Sequence, residues 1–174
     1  MATYTEFIDR ILRSTDLLKK LTPTEPLSWN LPGEVEKADD AILLEGRALK
    51  HPDLIRGGLL YAVDALDAAH AFFQDSPSDL GSYWHGMLHR REGDFDNARY
   101  WFRRAGRLPF FAGLHSASCE HSATMARQDN WDAYLLTGLC EQVKFGDPSL
   151  APECVKLQQV EFEGLFDYCW RQTV

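Results

Sequence analysis

Nowhere does the chain alternate apolar and polar residues with a period of two, whereas apolar residues recur at helical spacing through most of its length. A chain patterned in this way can bury its apolar stripes only by packing helix on helix, so the expected fold class is all-α. The pattern is clearest in the middle. Leu80, Tyr83, Trp84, Met87 and Leu88 form one stripe, which predicts a helix from about Asp79 to Glu92. Ser78 or Asp79 can accept from the free N–H groups of its first turn, and Gly93 can take the left-handed conformation that ends it. Phe95, Ala98, Trp101, Phe102 and Ala105 form a second stripe, from about Asp96 to Gly106, and Pro109 prevents the helix from resuming.

The rest of the chain reads as further helices joined by breakers. Tyr4, Phe7, Ile8, Ile11, Leu12, Leu18 and Leu21 suggest a first helix capped by Thr3 or Thr5. Pro23, Pro26 and Pro32 make Thr22 to Gly33 an extended loop, with Trp29 expected as a packing anchor. Helices are predicted over Glu34 to Lys50 and over Asp53 to Phe73, the latter interrupted near Gly57-Gly58. Others are predicted over Ala112 to Arg127, over Trp131 to Phe145 after an Asn130 cap, and over Ala151 to Gln172. The expectation is one domain spanning 1–174, with seven to eight helices packed pairwise and a helical hairpin at its centre.

Gly86, Gly93-Asp94-Phe95, Ala98, Phe102 and Ala105, followed by Pro109, resemble a single tetratricopeptide repeat over residues 82–109. Pro109 falls about a residue early, and the tryptophan stands at Trp84 rather than at the position of Ser82. No second copy follows at the repeat's period of about 34 residues, so the resemblance implies one tetratricopeptide-like hairpin and not an array. The string Tyr-Trp-His-x-x-x-His-Arg-Arg-Glu beginning at Tyr83 also resembles a pattern in small uncharacterised bacterial and fungal proteins, which implies no activity. His85 and His89 stand where the repeat places packing residues, while Trp84, Met87 and Leu88 mark the adjoining face as apolar too. If both faces are covered, the two histidines are partly buried and need partners.

The net charge of −8 argues against a role on nucleic acid or on anionic membrane surfaces. Within 82–109, however, Arg90, Arg91, Arg99, Arg103, Arg104 and Arg107 outnumber Glu92, Asp94 and Asp96, which makes a basic island in an acidic chain. No apolar run approaches the ~20 residues of a membrane span, and the start of the chain lacks a basic-then-apolar leader. Cys119, Cys140, Cys154 and Cys169 form no CxxC pair and sit in apolar company, as buried thiols do in a reducing compartment. A cytoplasmic protein is expected.

Polar chemistry concentrates on the hairpin. His85 and His89, at i and i+4, share one helical face with the spacing of many metal sites, and Glu92 follows by three. His70, with Asp67 on the preceding helix, can supply a further ligand or an orienting carboxylate. Such a set suits zinc, iron or manganese. No glutamate stands between the histidines as in HExxH, so a hydrogen-bonded helix interface is the competing reading. His115, Cys119 and His121 form a looser cluster. The basic island supports the leading expectation, a tetratricopeptide-like binding module whose pocket near His70, His85, His89, Arg90 and Arg104, with Asp67, accepts an acidic peptide or small anion. The alternatives are a metal-dependent enzyme at His85, His89 and His70 with Asp67 or Glu92 as ligand or base, and a protein whose function lies on a homo-oligomer surface. For the arginines themselves, internal pairing with Asp64, Asp67, Asp94 or Asp96 is the competing use.

Overall fold

A computed structural model describes residues 3–13 and 17–174. The expected all-α class is observed: the described residues form ten α-helices, two short 3-10 turns and no strand. The helices are α1 (Glu6–Leu12), α2 (Leu31–Lys37), α3 (Asp40–Leu44), α4 (Pro52–Ala62), α5 (Leu66–Gln74), α6 (Asp79–Glu92), α7 (Phe95–Ala105), α8 (Phe111–Ser118), α9 (Ala133–Phe145) and α10 (Ala151–Arg171). None is long and apolar enough to cross a membrane.

The count exceeds seven to eight because two expected helices are each divided, and an arginine holds each division. The expected helix 34–50 breaks at Ala38, whose ψ of 128° leaves the helical region, and Asp39 caps α3 by accepting from Ala41 N. The Arg56 guanidinium donates to the Val35 carbonyl at 2.6 Å and to Asp40 Oδ1 at 2.6 Å, satisfying an α2 carbonyl that the break leaves open. The expected helix 53–73 breaks not at Gly57-Gly58 but at Asp64, which adopts φ +63°. Arg91 secures this break, donating to the Tyr61 carbonyl at 2.8 Å and to Asp64 Oδ1. Gly57 and Gly58 instead lie inside α4 as contact points. A Cβ on Gly58 would stand 2.9 Å from the Phe166 ring.

Other boundaries shift for local reasons. Thr5 caps α1 through Ile8 N, as expected, but the helix ends at Leu12 rather than reaching Leu21: residues 14–16 lie outside those described, residues 17–21 are not helical, and Leu18 adopts φ +57°. Asp132, not Asn130, caps α9, accepting from Tyr134 N and Leu135 N. The helix expected over 112–127 ends at Ser118, and a 3-10 turn over Met125–Arg127 follows. Trp29 is 94% exposed and anchors nothing.

The central hairpin has the predicted form. Ser78 caps α6 by accepting from Gly81 N, Gly93 closes it at φ +77°, and Asp94 caps α7 through Asn97 N. Helix α6 is buried continuously from Leu80 to Arg91, as expected for a helix covered on more than one side. Its apolar face enters an aromatic core in which Trp84 stacks on Phe73 and meets Tyr61 and Phe162 edge-on. Its polar side chains are buried with it, and what they touch defines the chemistry of the molecule.

Candidate metal centre on α6

Three polar groupings hang from α6. Arg90 is fully enclosed and pairs with Glu161 of α10, whose Oε1 also accepts from Tyr83 Oη at 2.7 Å; Trp131 Nε1 donates in turn to Tyr83 Oη at 2.6 Å. Burial alone would disfavour the guanidinium charge, but Glu161 outweighs it and raises the Arg90 pKa. Arg91, equally enclosed, pairs with Asp64 and donates to the Lys20 carbonyl at 3.1 Å. The Nε atoms of both arginines find no acceptor, yet each charge has its counter-charge. Internal pairing is thus the use made of Arg90 and Arg91. Arg90, an expected ligand contact, is enclosed against a carboxylate 71 residues away and presents no donor to a pocket. Arg104 is exposed and lies over the Trp101 ring, 5.3 Å from its centroid. Arg99 bridges Glu141 and Asp96.

The third grouping is histidine. The division at Asp64 turns α5 so that His70 faces α6, and ring nitrogens from His70, His85 and His89 lie within 4.8 Å of one another. The Nε2 atoms of His70 and His85 are 2.7 Å apart. The His85 ring stacks on His89 at 4.6 Å and, on α7, on Trp101 at 3.9 Å. His85 and His89 are buried and His70 is half-buried, so the cluster opens to solvent on the α5 side.

The proton inventory does not balance within the cluster. A hydrogen bond between two imidazole Nε2 atoms needs a proton on one and a lone pair on the other. Whichever ring donates, His85 Nδ1 remains buried without a partner. Burial, reinforced by the neighbouring His89 and His70, pushes the His85 pKa down to about 3, so this ring is neutral at physiological pH. Imidazole nitrogens converging from two helices are a common donor set for a first-row divalent cation. Zn–N bonds of 2.0–2.1 Å at tetrahedral angles place ligand nitrogens roughly 3.3 Å apart, a spacing between the shortest and longest separations here.

Glu92, expected as a ligand, stands behind His89: its Oε2 is 2.7 Å from His89 Nδ1. A carboxylate in that place fixes the ring's tautomer and raises its basicity. Asn97 of α7, which no sequence signal marked, has its Nδ2 at 3.1 Å from His89 Nε2. Asp67 lies exposed one turn before His70. In the looser cluster, Cys119 Sγ is 3.7 Å from His115 Nε2, His115 also reaches the Met125 carbonyl at 3.2 Å, and His121 is exposed in the following turn. A groove of about 940 Å³ lies away from the cluster between α1, α8 and α10, with Leu12, Leu114 and Phe166 in its walls.

No protein-family model, curated protein or solved structure matches the chain.

Proposed function

We propose that the protein binds a divalent transition metal of the zinc, iron or manganese type through His70, His85 and His89. The observation that carries this reading is the convergence of three ring nitrogens within 4.8 Å, one of them on a neutral, buried ring with an unpartnered nitrogen. Three imidazoles leave a fourth coordination position, the arrangement of catalytic rather than closed structural sites. An ion held there acts as a Lewis acid toward water or an anionic group. The reading joins the basic island to the metal: the ligand is a small anion or an acidic side chain, with Arg104 the island's cation nearest the cluster's Trp101 wall. The tetratricopeptide-like hairpin is its scaffold, supported by Gly86, where a Cβ would stand 2.7 Å from the Phe102 ring.

Elemental analysis of untagged protein, purified without chelator, tests the reading beside a His85→Ala/His89→Ala variant. About one equivalent of zinc, iron or manganese in the wild type, absent from the variant, is expected. A metal-free wild type that also takes up none of the three on reconstitution contradicts it.

A further inference from the structure

Hydrogen bonding runs in one direction through His89. The Glu92 carboxylate accepts, so His89 Nδ1, 2.7 Å from Glu92 Oε2, carries the ring proton. Nε2 lies 3.1 Å from the Asn97 amide nitrogen, which has only N–H groups to offer, so Nε2 accepts and is the ring's lone pair. The opposite amide orientation would set the Asn97 oxygen against that lone pair, so both bonds fix the same arrangement. The lone pair thus prepared for a metal is therefore already occupied by a side chain of the protein.

Asn97 is suited to leave. It sits in the first turn of α7, half-buried, and its backbone N–H is held separately by the Asp94 cap at 3.2 Å, so its side chain can swing out without disturbing the helix. Glu92, in contrast, bonds the far side of the ring and stays in place when a ligand arrives at Nε2.

We propose that Asn97 is a built-in competitor at the metal centre, a removable cover on His89 Nε2 that lowers the affinity of the site for its cation, while Glu92 holds the ring in the metal-ready tautomer. The inference rests on the three-histidine reading of the site. Whatever draws the Asn97 side chain outward tightens the grip on the ion. Asn97 acts on the metal through His89 and is a positioning residue.

Competition titration of Zn²⁺ against a chromophoric chelator tests this on the wild type and on Asn97→Ala, Glu92→Gln and His89→Ala, with Co²⁺ absorption spectra of each. Asn97→Ala is expected to bind zinc roughly three- to tenfold more tightly, the equivalent of one neutral hydrogen bond that need no longer be broken. Its cobalt spectrum should match the wild type's, showing the same ligands. Glu92→Gln should bind about 10- to 100-fold more weakly. If zinc binds the wild type and is lost in His89→Ala, but Asn97→Ala binds no more tightly than wild type, the cover is wrong and the metal centre stands. If the wild type itself binds no zinc or cobalt, both readings fall.

Discussion

Helix α6 carries two kinds of buried polar group, and they are treated differently. At Arg90 and Arg91 each cation meets one carboxylate, Glu161 or Asp64, delivered from another part of the chain. At His85 and His89, just before them on the same helix, no carboxylate of the described residues joins the ring nitrogens; Glu92 stops behind His89, and a buried nitrogen of His85 has no partner among the described residues. The arginine charges are thus each met by a counter-charge, whereas the histidine cluster brings ring nitrogens together with no counter-charge among them.

The sharpest way to break this comparison is to remove one member of a charge pair. Glu161→Ala strands the Arg90 charge in the core and releases Tyr83 Oη, so urea unfolding should show a loss of about 3–5 kcal/mol. An unfolding midpoint unchanged from wild type would mean that Arg90 is not held by Glu161. The histidines should respond in the opposite sense. In chelator-treated protein, the unfolded chain protonates His85 near pH 6.5, whereas the folded chain resists protonation down to about pH 3. Through that window the unfolded state binds the extra proton. This group's contribution to stability is therefore complete above pH 6.5 and is lost on acidification, by at most about 1.4 kcal/mol per unit. His85→Gln should flatten that part of the stability profile; an equal slope in wild type and variant would place the acid sensitivity elsewhere. The smallest effect belongs to Trp29, whose exposure predicts that Trp29→Ala shifts stability by less than about 0.5 kcal/mol. A larger loss would mean that the indole is covered in solution.

How much of this was readable beforehand follows from the range of the interactions. The limits of α6 matched residue for residue because their causes are local: a serine cap, a run of helical-period apolar residues and a glycine taking positive φ. The i, i+4 pairing of His85 and His89 was legible for the same reason. That His70 joins them was only an expectation. It depends on the turn at Asp64, which is held by Arg91, a residue 27 positions later, and a helix read straight through 53–73 gives no sign of it. Glu161 went unnoticed for a related reason. It lies between Val160 and Phe162 on a helix where all three are buried, and only that apolar setting marks its carboxylate as a buried one. Trp29 departs from expectation because aromatic residues usually anchor loops, whereas this ring stands 94% exposed.

Zinc K-edge X-ray absorption on the wild-type protein loaded with one equivalent of metal reads the ligand set itself. Three imidazole nitrogens at about 2.0 Å are expected, with the multiple-scattering signature of histidine rings and a fourth light-atom ligand. A first shell containing sulfur at about 2.3 Å would move the metal to Cys119 and His115, and a shell of oxygen alone would leave the histidines as a hydrogen-bonded core.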